Sequence, residues 1–213
     1  MGLSYRDYRN THRGDTAWVV GSGRTLGFIS PRFFDDKLTV CVNFAGIVHG
    51  LRRFTSVSNH HDDAQAIAEA KPGLLVVTTE TEQVPSKDST GVPATAGNIV
   101  TVPSIDQPYA AFSAAEHWPS DPALFTVGPT SLHLALRWAW YIGAAHIVLV
   151  GVDCGEIDGQ ARVEDYPPGH LHYDLWERTL RDIADRLRKD GISVHSLNPW
   201  VSLALEDHTF RQG

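Results

Sequence analysis

Tyr166-Pro-Pro-Gly-His-Leu-His-Tyr173 is the most chemically loaded stretch of the 213-residue chain. His170 and His172 stand two positions apart, so they share a face if the backbone is extended. Imidazole is the usual general base near neutral pH. The same stretch also reads as a solvent-exposed loop ahead of a helix. Gly21-Ser22-Gly23 follows an apolar run. Glycines let the backbone approach a phosphate and aim its N–H groups inward, and they equally serve a tight strand-to-helix turn. The full dinucleotide pattern needs a third glycine where Leu26 stands, and no Gly-Lys-Ser/Thr follows. If the turn meets phosphate, Gly21→Val abolishes nucleotide binding and leaves the fold intact.

Other polar residues stand where apolar segments stop. Asn43 follows Val40-Cys41-Val42, and its amide is both donor and acceptor; a strand-ending turn residue is the other reading. Asp153, after Leu149-Val150-Gly151-Val152, suits a hydroxyl, a ribose, a metal or the N–H groups of a loop. Thr130 and Ser131 open a helical segment, where they can cap it or meet a phosphate. Asn59-His60-His61-Asp62-Asp63 offers metal-ligand types. Neighbours on an extended chain point apart, and the acids also suit the start of a helix. That leaves His60 or His61 to face a cleft.

The elements that position these residues follow from periodicity. Apolar strands are expected at 16–20, 38–43, 54–58, 74–78, 98–102, 145–150 and 191–195. Helices are expected at 61–70, 130–142 and 173–189, with a short closing one at 199–205. The 130–142 segment is apolar on almost every face, which predicts burial, with Gly143 as its stop. Trp176, Leu180, Ile183 and Leu187 make one apolar stripe. Uniformly apolar strands alternating with helices predict an α/β fold: a doubly wound, mostly parallel, Rossmann-like sheet in a single domain over 1–213. The 80–121 region, polar and Pro-rich around its one strand, is expected to be a loop-rich insertion serving as a lid.

Composition narrows the class. Eighteen Lys and Arg against 25 Asp and Glu leave a net charge of −7. No basic block is present, which argues against a nucleic-acid partner. Apolar residues at 42% and charged residues at 20% suit a soluble globular protein. No apolar run approaches the roughly 20 residues of a membrane span, and the polar start does not read as a signal peptide. Cys41 and Cys154 lie in apolar runs, which suggests packing in a reducing, cytoplasmic setting. Nothing here decides against a homo-oligomer.

Several of these segments fall in a familiar order. Val19-Val20-Gly21-Ser22-Gly23-Arg24-Thr25-Leu26 resembles the strand and Gly-x-Gly-Pro-Ser-Leu turn of a nucleotide-binding superfamily. That superfamily includes small bacterial sialyltransferases, archaeal-type 6-hydroxymethylpterin diphosphokinases and related flagellin-modification proteins. Val40-Cys41-Val42-Asn43 resembles its second strand, and Thr130-Ser131 through Ile147-Val148-Leu149-Val150-Gly151-Val152-Asp153 resembles its most specific segment. The likeness covers both ends of the chain and leaves about 80 to 121 unmatched. Arg24-Thr25 stands in place of Pro-Ser, where a guanidinium can pair bidentately with a phosphate or point to solvent.

The resemblance implies a transferase with a nucleotide or nucleotide-sugar donor bound by Gly21, Ser22, Gly23, Arg24, Thr25, Asn43, Thr130, Ser131 and Asp153. It implies sialyltransferase-like glycosyl transfer to a hydroxyl acceptor, with His172 as base and His170 as its rival. Tyr166 and Tyr173 are candidates for the tyrosine pair that holds the leaving phosphate in the sialyltransferases. The alternatives are an ATP- and Mg²⁺-dependent diphosphokinase, with Asp153, Asp62 or Asp63 as ligands, and a non-catalytic nucleotide-binding module favoured by Arg24-Thr25.

Overall fold

The computed structural model describes residues 3–80, 96–106, 121–127, 130–166, 173–199, 201 and 205. Strand β1 (Thr16–Val20) starts the main sheet, and β2 (Leu38–Val42), β3 (Thr55–Val57), β4 (Leu75–Thr79) and β5 (Ile99–Val102) are laid down beside it in succession. Two short strands, β6 (Ser104–Asp106) and β7 (Phe125–Val127), pair with each other in a small parallel sheet. The chain then returns to the open side of β1 with β8 (His146–Val150) and adds β9 (Ser193–Ser196) outside it. The order is β5-β4-β3-β2-β1-β8-β9, with every pairing parallel.

The expected α/β arrangement is therefore present, and its direction reverses between β1 and β8. Alternate strand residues face opposite layers. Ala17, Val19, Val40, Val57, Val77, Ile147 and Leu149 meet one layer, made by α3 (Ser131–Tyr141) and α4 (Tyr173–Lys189). Val20, Cys41 and Val150 meet Leu26, Phe34, Ala45 and Val163 on the other face. There, α1 (Ala45–Val48) and α2 (His61–Ala70) cover β2 to β4. After β1 the chain makes two 3₁₀ turns, Arg24–Phe28 and Pro31–Phe34, where an α-helix is the common crossover.

Helix α3 is buried nearly all round, as its sequence predicts. Its one cation, Arg137, lies 4.0 Å over the Trp140 ring and donates to the carbonyls of Asp121 and Leu124 at 3.1 and 3.0 Å, which ties β7 to the helix. Gly143, at φ +96°, turns the chain out of α3. The carbonyls of Tyr141, Ile142 and Gly143 accept N–H groups from Asn10, His12 and Gly14, so the amino-terminal segment completes the helix end. In α4, Leu180, Ile183 and Leu187 are buried as expected, while the Trp176 side chain lies outside the described set. The 80–121 region holds a second strand beyond the one expected, because 104–106 forms β6. The insertion's core, 81–95 and 107–120, lies outside the described residues.

Candidate functional site

In a doubly wound sheet, the loops that leave strands on either side of the reversal open a crevice at the carboxyl edge. Here that crevice is bridged by the chain itself. Gly21 donates its N–H to Val150 at 2.8 Å, and Gly23 donates to Gly151 at 2.6 Å. A Cβ on Gly21 would stand 2.5 Å from the Gly151 oxygen, and one on Gly23 would stand 2.6 Å from Asp153 Oδ2. Both glycines are thus required by loop-on-loop packing. Thr25 donates its N–H to Asp153 Oδ2 at 2.8 Å and its hydroxyl to Oδ1. Asn198 Nδ2 also donates to Oδ1, at 3.0 Å. Of the readings open to Asp153, a hydroxyl, a ribose, a metal or the fixing of a loop, the contacts match the last: both carboxylate oxygens are engaged in holding loops. Among the described residues, Ser22 and Arg24 carry the N–H groups of this turn that no such contact uses.

The loop after β8 crosses to the other face over the β1 turn. Val163 donates its N–H to the Ser22 carbonyl at 2.9 Å, and Val163 joins the apolar cluster of Leu26 and Phe34. The Tyr166 hydroxyl lies near the Ser22 side chain and the Phe44 backbone. Burial pushes its pKa up, while the neighbouring Ser22 and the charge of Arg162 act the other way. Asp63 lies near enough to favour the neutral phenol. Tyr166 thus lies near the turn after β1 and the end of β2.

Asn43 lies just past β2 with φ +50°, the left-handed region that Asn tolerates better than most residues. Its backbone is fixed from both sides: its N–H donates to Val57 at 2.9 Å, and its carbonyl accepts from the Ser56 hydroxyl at 2.8 Å. Its side-chain Oδ1 is buried without a hydrogen-bond partner among the described residues. His60 Nδ1, past β3, is in the same condition. Buried polar atoms are satisfied in more than about nine cases in ten; these two are among several such atoms in the described residues, and both lie shortly past strands of the main sheet. Asn59 is fully buried between them and α3, and its N–H donates to Ser131 Oγ at 3.0 Å. No local signal singles out Asn59 or Asn198; each is polar just past a strand, and only the pairing order shows that this edge is shared. His61 Nε2 is bonded to the Thr79 carbonyl, at the carboxyl end of β4, at 2.8 Å. Asp62 and Asp63 lie in the first turn of α2, where the helix dipole favours them.

Thr130 caps α3, and the imidazole of His133 accepts its N–H at 3.2 Å. Burial lowers the His133 pKa to about 3, so the ring is neutral in the native protein. Its folded value lies below its unfolded one, so the unfolded chain takes up the proton first. The stability it contributes is present above pH 6.5 and is lost as pH falls toward 3. Urea unfolding of the parent should weaken by about 2 kcal/mol more than that of His133→Gln between pH 6.5 and 5. Glutamine retains the capping geometry, so parallel pH curves for the two proteins would refute this assignment.

His170 and His172 lie outside the described residues, as does the side chain of Tyr173. Helix α4 runs back from β8 toward β9 between parallel strands, so its start at residue 173 lies at the carboxyl edge. Among the described residues, no three His, Cys, Asp or Glu side chains converge as a metal site. Cys41 and Cys154 are free thiols. No described helix is long and apolar enough to cross a membrane.

Among solved structures, the chain is similar to the MAf glycosyltransferase from Magnetospirillum magneticum AMB-1. The two superpose with a TM-score of 0.52 at 17% identity, over 91% of this chain and 37% of that one. The likeness is one of fold, and this chain spans about 37% of the longer protein's length. No protein-family model matches the chain, and no curated protein sequence matches it.

Proposed function

We propose that the chain is a transferase that holds a nucleotide-activated donor along the carboxyl edge of β1 and β2 and passes a glycosyl group to a hydroxyl acceptor. The observation that carries this reading is Asn43, with a constrained backbone and a buried Oδ1 that lacks a partner beside the reversal of the sheet. An amide there suits a hydroxyl or amino group of a nucleoside. Ser22, Arg24 and the Thr25 turn follow β1, the neighbour of β2, and would take the phosphate, while Thr130 and Ser131 open α3. The similarity to a MAf glycosyltransferase supports glycosyl transfer, and the sequence resemblance supports the sialyltransferase type. In that chemistry the acceptor oxygen attacks the anomeric carbon, its proton passes to His172, and the nucleotide phosphate leaves. The enzyme's work is positioning and charge stabilisation.

The test is a thermal-shift panel of CMP, CDP, UDP, GDP and ATP, with and without Mg²⁺. A ligand that binds only the native state raises the melting temperature. At least one nucleotide should do so, and a panel without any shift rejects the reading. In the same assay Asn43→Gly keeps the left-handed backbone and removes the amide. It should weaken the best nucleotide about tenfold, near the contribution of one or two hydrogen bonds. The melting temperature without ligand should stay unchanged. A large drop there would make Asn43 a strand-end brace instead.

A further inference from the structure

Asp153 is a carboxylate held by neutral donors. Among the described residues no Lys, Arg or His pairs with it; the Thr25 N–H, the Thr25 hydroxyl and Asn198 Nδ2 surround it. Asn198 is buried just past β9, and both ends of its amide are in use. Oδ1 accepts the Val201 N–H at 3.4 Å at the start of the closing helical segment, while Nδ2 reaches Asp153. The carboxyl ends of three adjacent strands, β1, β8 and β9, therefore meet on one carboxylate.

We infer that Asn198 is a positioning residue, acting through Asp153 to hold the Thr25 turn in the shape that receives the ligand's phosphate. This rests on the reading that the β1 turn belongs to the nucleotide site. Hydrogen bonds to an ionised acceptor are short and strong. With Nδ2 gone, the carboxylate is free to rotate about the two contacts that Thr25 makes, and the turn loosens with it.

The two roles of Asn198 separate under one substitution. An aspartate caps a helix as well as an asparagine does, so Asn198→Asp preserves the bond to Val201. It removes the donor to Asp153 and sets a second carboxylate against the first. Two carboxylates in contact share a proton when the pH falls, so the damage should reverse on acidification. The neighbouring thiol of Cys154 does not interfere. Burial, and then the charge of Asp153, push its pKa up to about 12, so it stays protonated.

The experiment is amide hydrogen exchange at Thr25 in the full chain, as a protection factor at pH 8 and pH 5, for the parent, Asn198→Ala and Asn198→Asp. At pH 8 both variants should lose about tenfold or more of the protection, since that amide reports local opening of the turn. At pH 5 Asn198→Asp should recover to near the parent, and Asn198→Ala should not. Parent-like protection in Asn198→Asp at pH 8 would reduce Asn198 to a helix cap and overturn the inference. Affinities for CMP, CDP, UDP, GDP and ATP on the same samples complete the test. The nucleotide that binds the parent should bind Asn198→Asp about tenfold more weakly at pH 8 and recover at pH 5. Lost protection with unchanged affinity would also overturn the positioning role. If the parent binds none of the five, the nucleotide reading falls by itself, and the exchange data still decide whether Asn198 holds the turn.

Discussion

Gly151→Ala should destabilise the protein by about 3 kcal/mol or more in urea unfolding, with a parallel loss of nucleotide binding. Two independent penalties add. Gly151 sits at φ +64°, a conformation that costs a residue with a Cβ roughly 1–2 kcal/mol. The added carbon would also stand 2.6 Å from the Gly21 oxygen and 2.9 Å from Leu26 Cβ. Neither neighbour is a flexible side-chain end, so the two loops must separate. Gly21→Val meets the mirror contact, 2.5 Å from the Gly151 oxygen. The sequence alone predicts lost binding on an intact fold for that variant; the contact makes lost stability the accompanying result. A change below about 1 kcal/mol in either variant would mean that the loops can part at little cost.

His172→Ala should lower transfer by about 10²–10⁴-fold, the range that general-base catalysis supplies, while nucleotide affinity stays within about twofold of the parent. The following helix, α4, starts at the carboxyl edge and is anchored by buried Leu180, Ile183, Ala184 and Leu187. In the proposed mechanism the base acts on the acceptor and not on the donor. Transfer or donor hydrolysis, assayed across pH 5 to 9, should lose its acidic limb in this variant, and His170→Ala should cost less. Parent-like turnover removes His172 from the mechanism. A greater loss in His170→Ala assigns the base to that neighbour.

The frame was legible where apolar segments have a decisive length and clear bounds. The strands at 16–20, 38–42, 75–79 and 146–150 are short apolar runs, the helices α2, α3 and α4 are segments of ten residues or more, and that difference separates the two element types. Of the three three-residue strands among the described residues, β3 is legible within 54–58, while Ser104–Asp106 and Phe125–Val127 are not, since they lie inside or beside a Pro-rich stretch that reads as loop. The 3₁₀ turns after β1 likewise carry no helical stripe. At the site, Asn43 was visible because it interrupts an apolar strand. The contacts of Asp153 with Thr25 and Asn198 were not visible, since these partners lie far apart in the chain and meet only through the strand order. His61 illustrates the reverse: its residue type suggests chemistry, and only the Thr79 contact shows a structural bond.

The order of the strands has a consequence for synthesis. β1 lies between β2 and β8, and its register along β8 runs from Thr16–His146 to Val20–Val150. A ribosome adding about 5–20 residues per second needs on the order of ten seconds to make the segment between them. During that interval a nascent sheet can form from β1 to β5, but the outer rim of β1 has unpaired N–H and C=O groups along an apolar strand. Such a rim is a template for the wrong partner. The seam between β1 and β8 thus closes late, with only β9 to follow, and in the nascent chain the rim of β1 is the segment most dependent on protection from other chains.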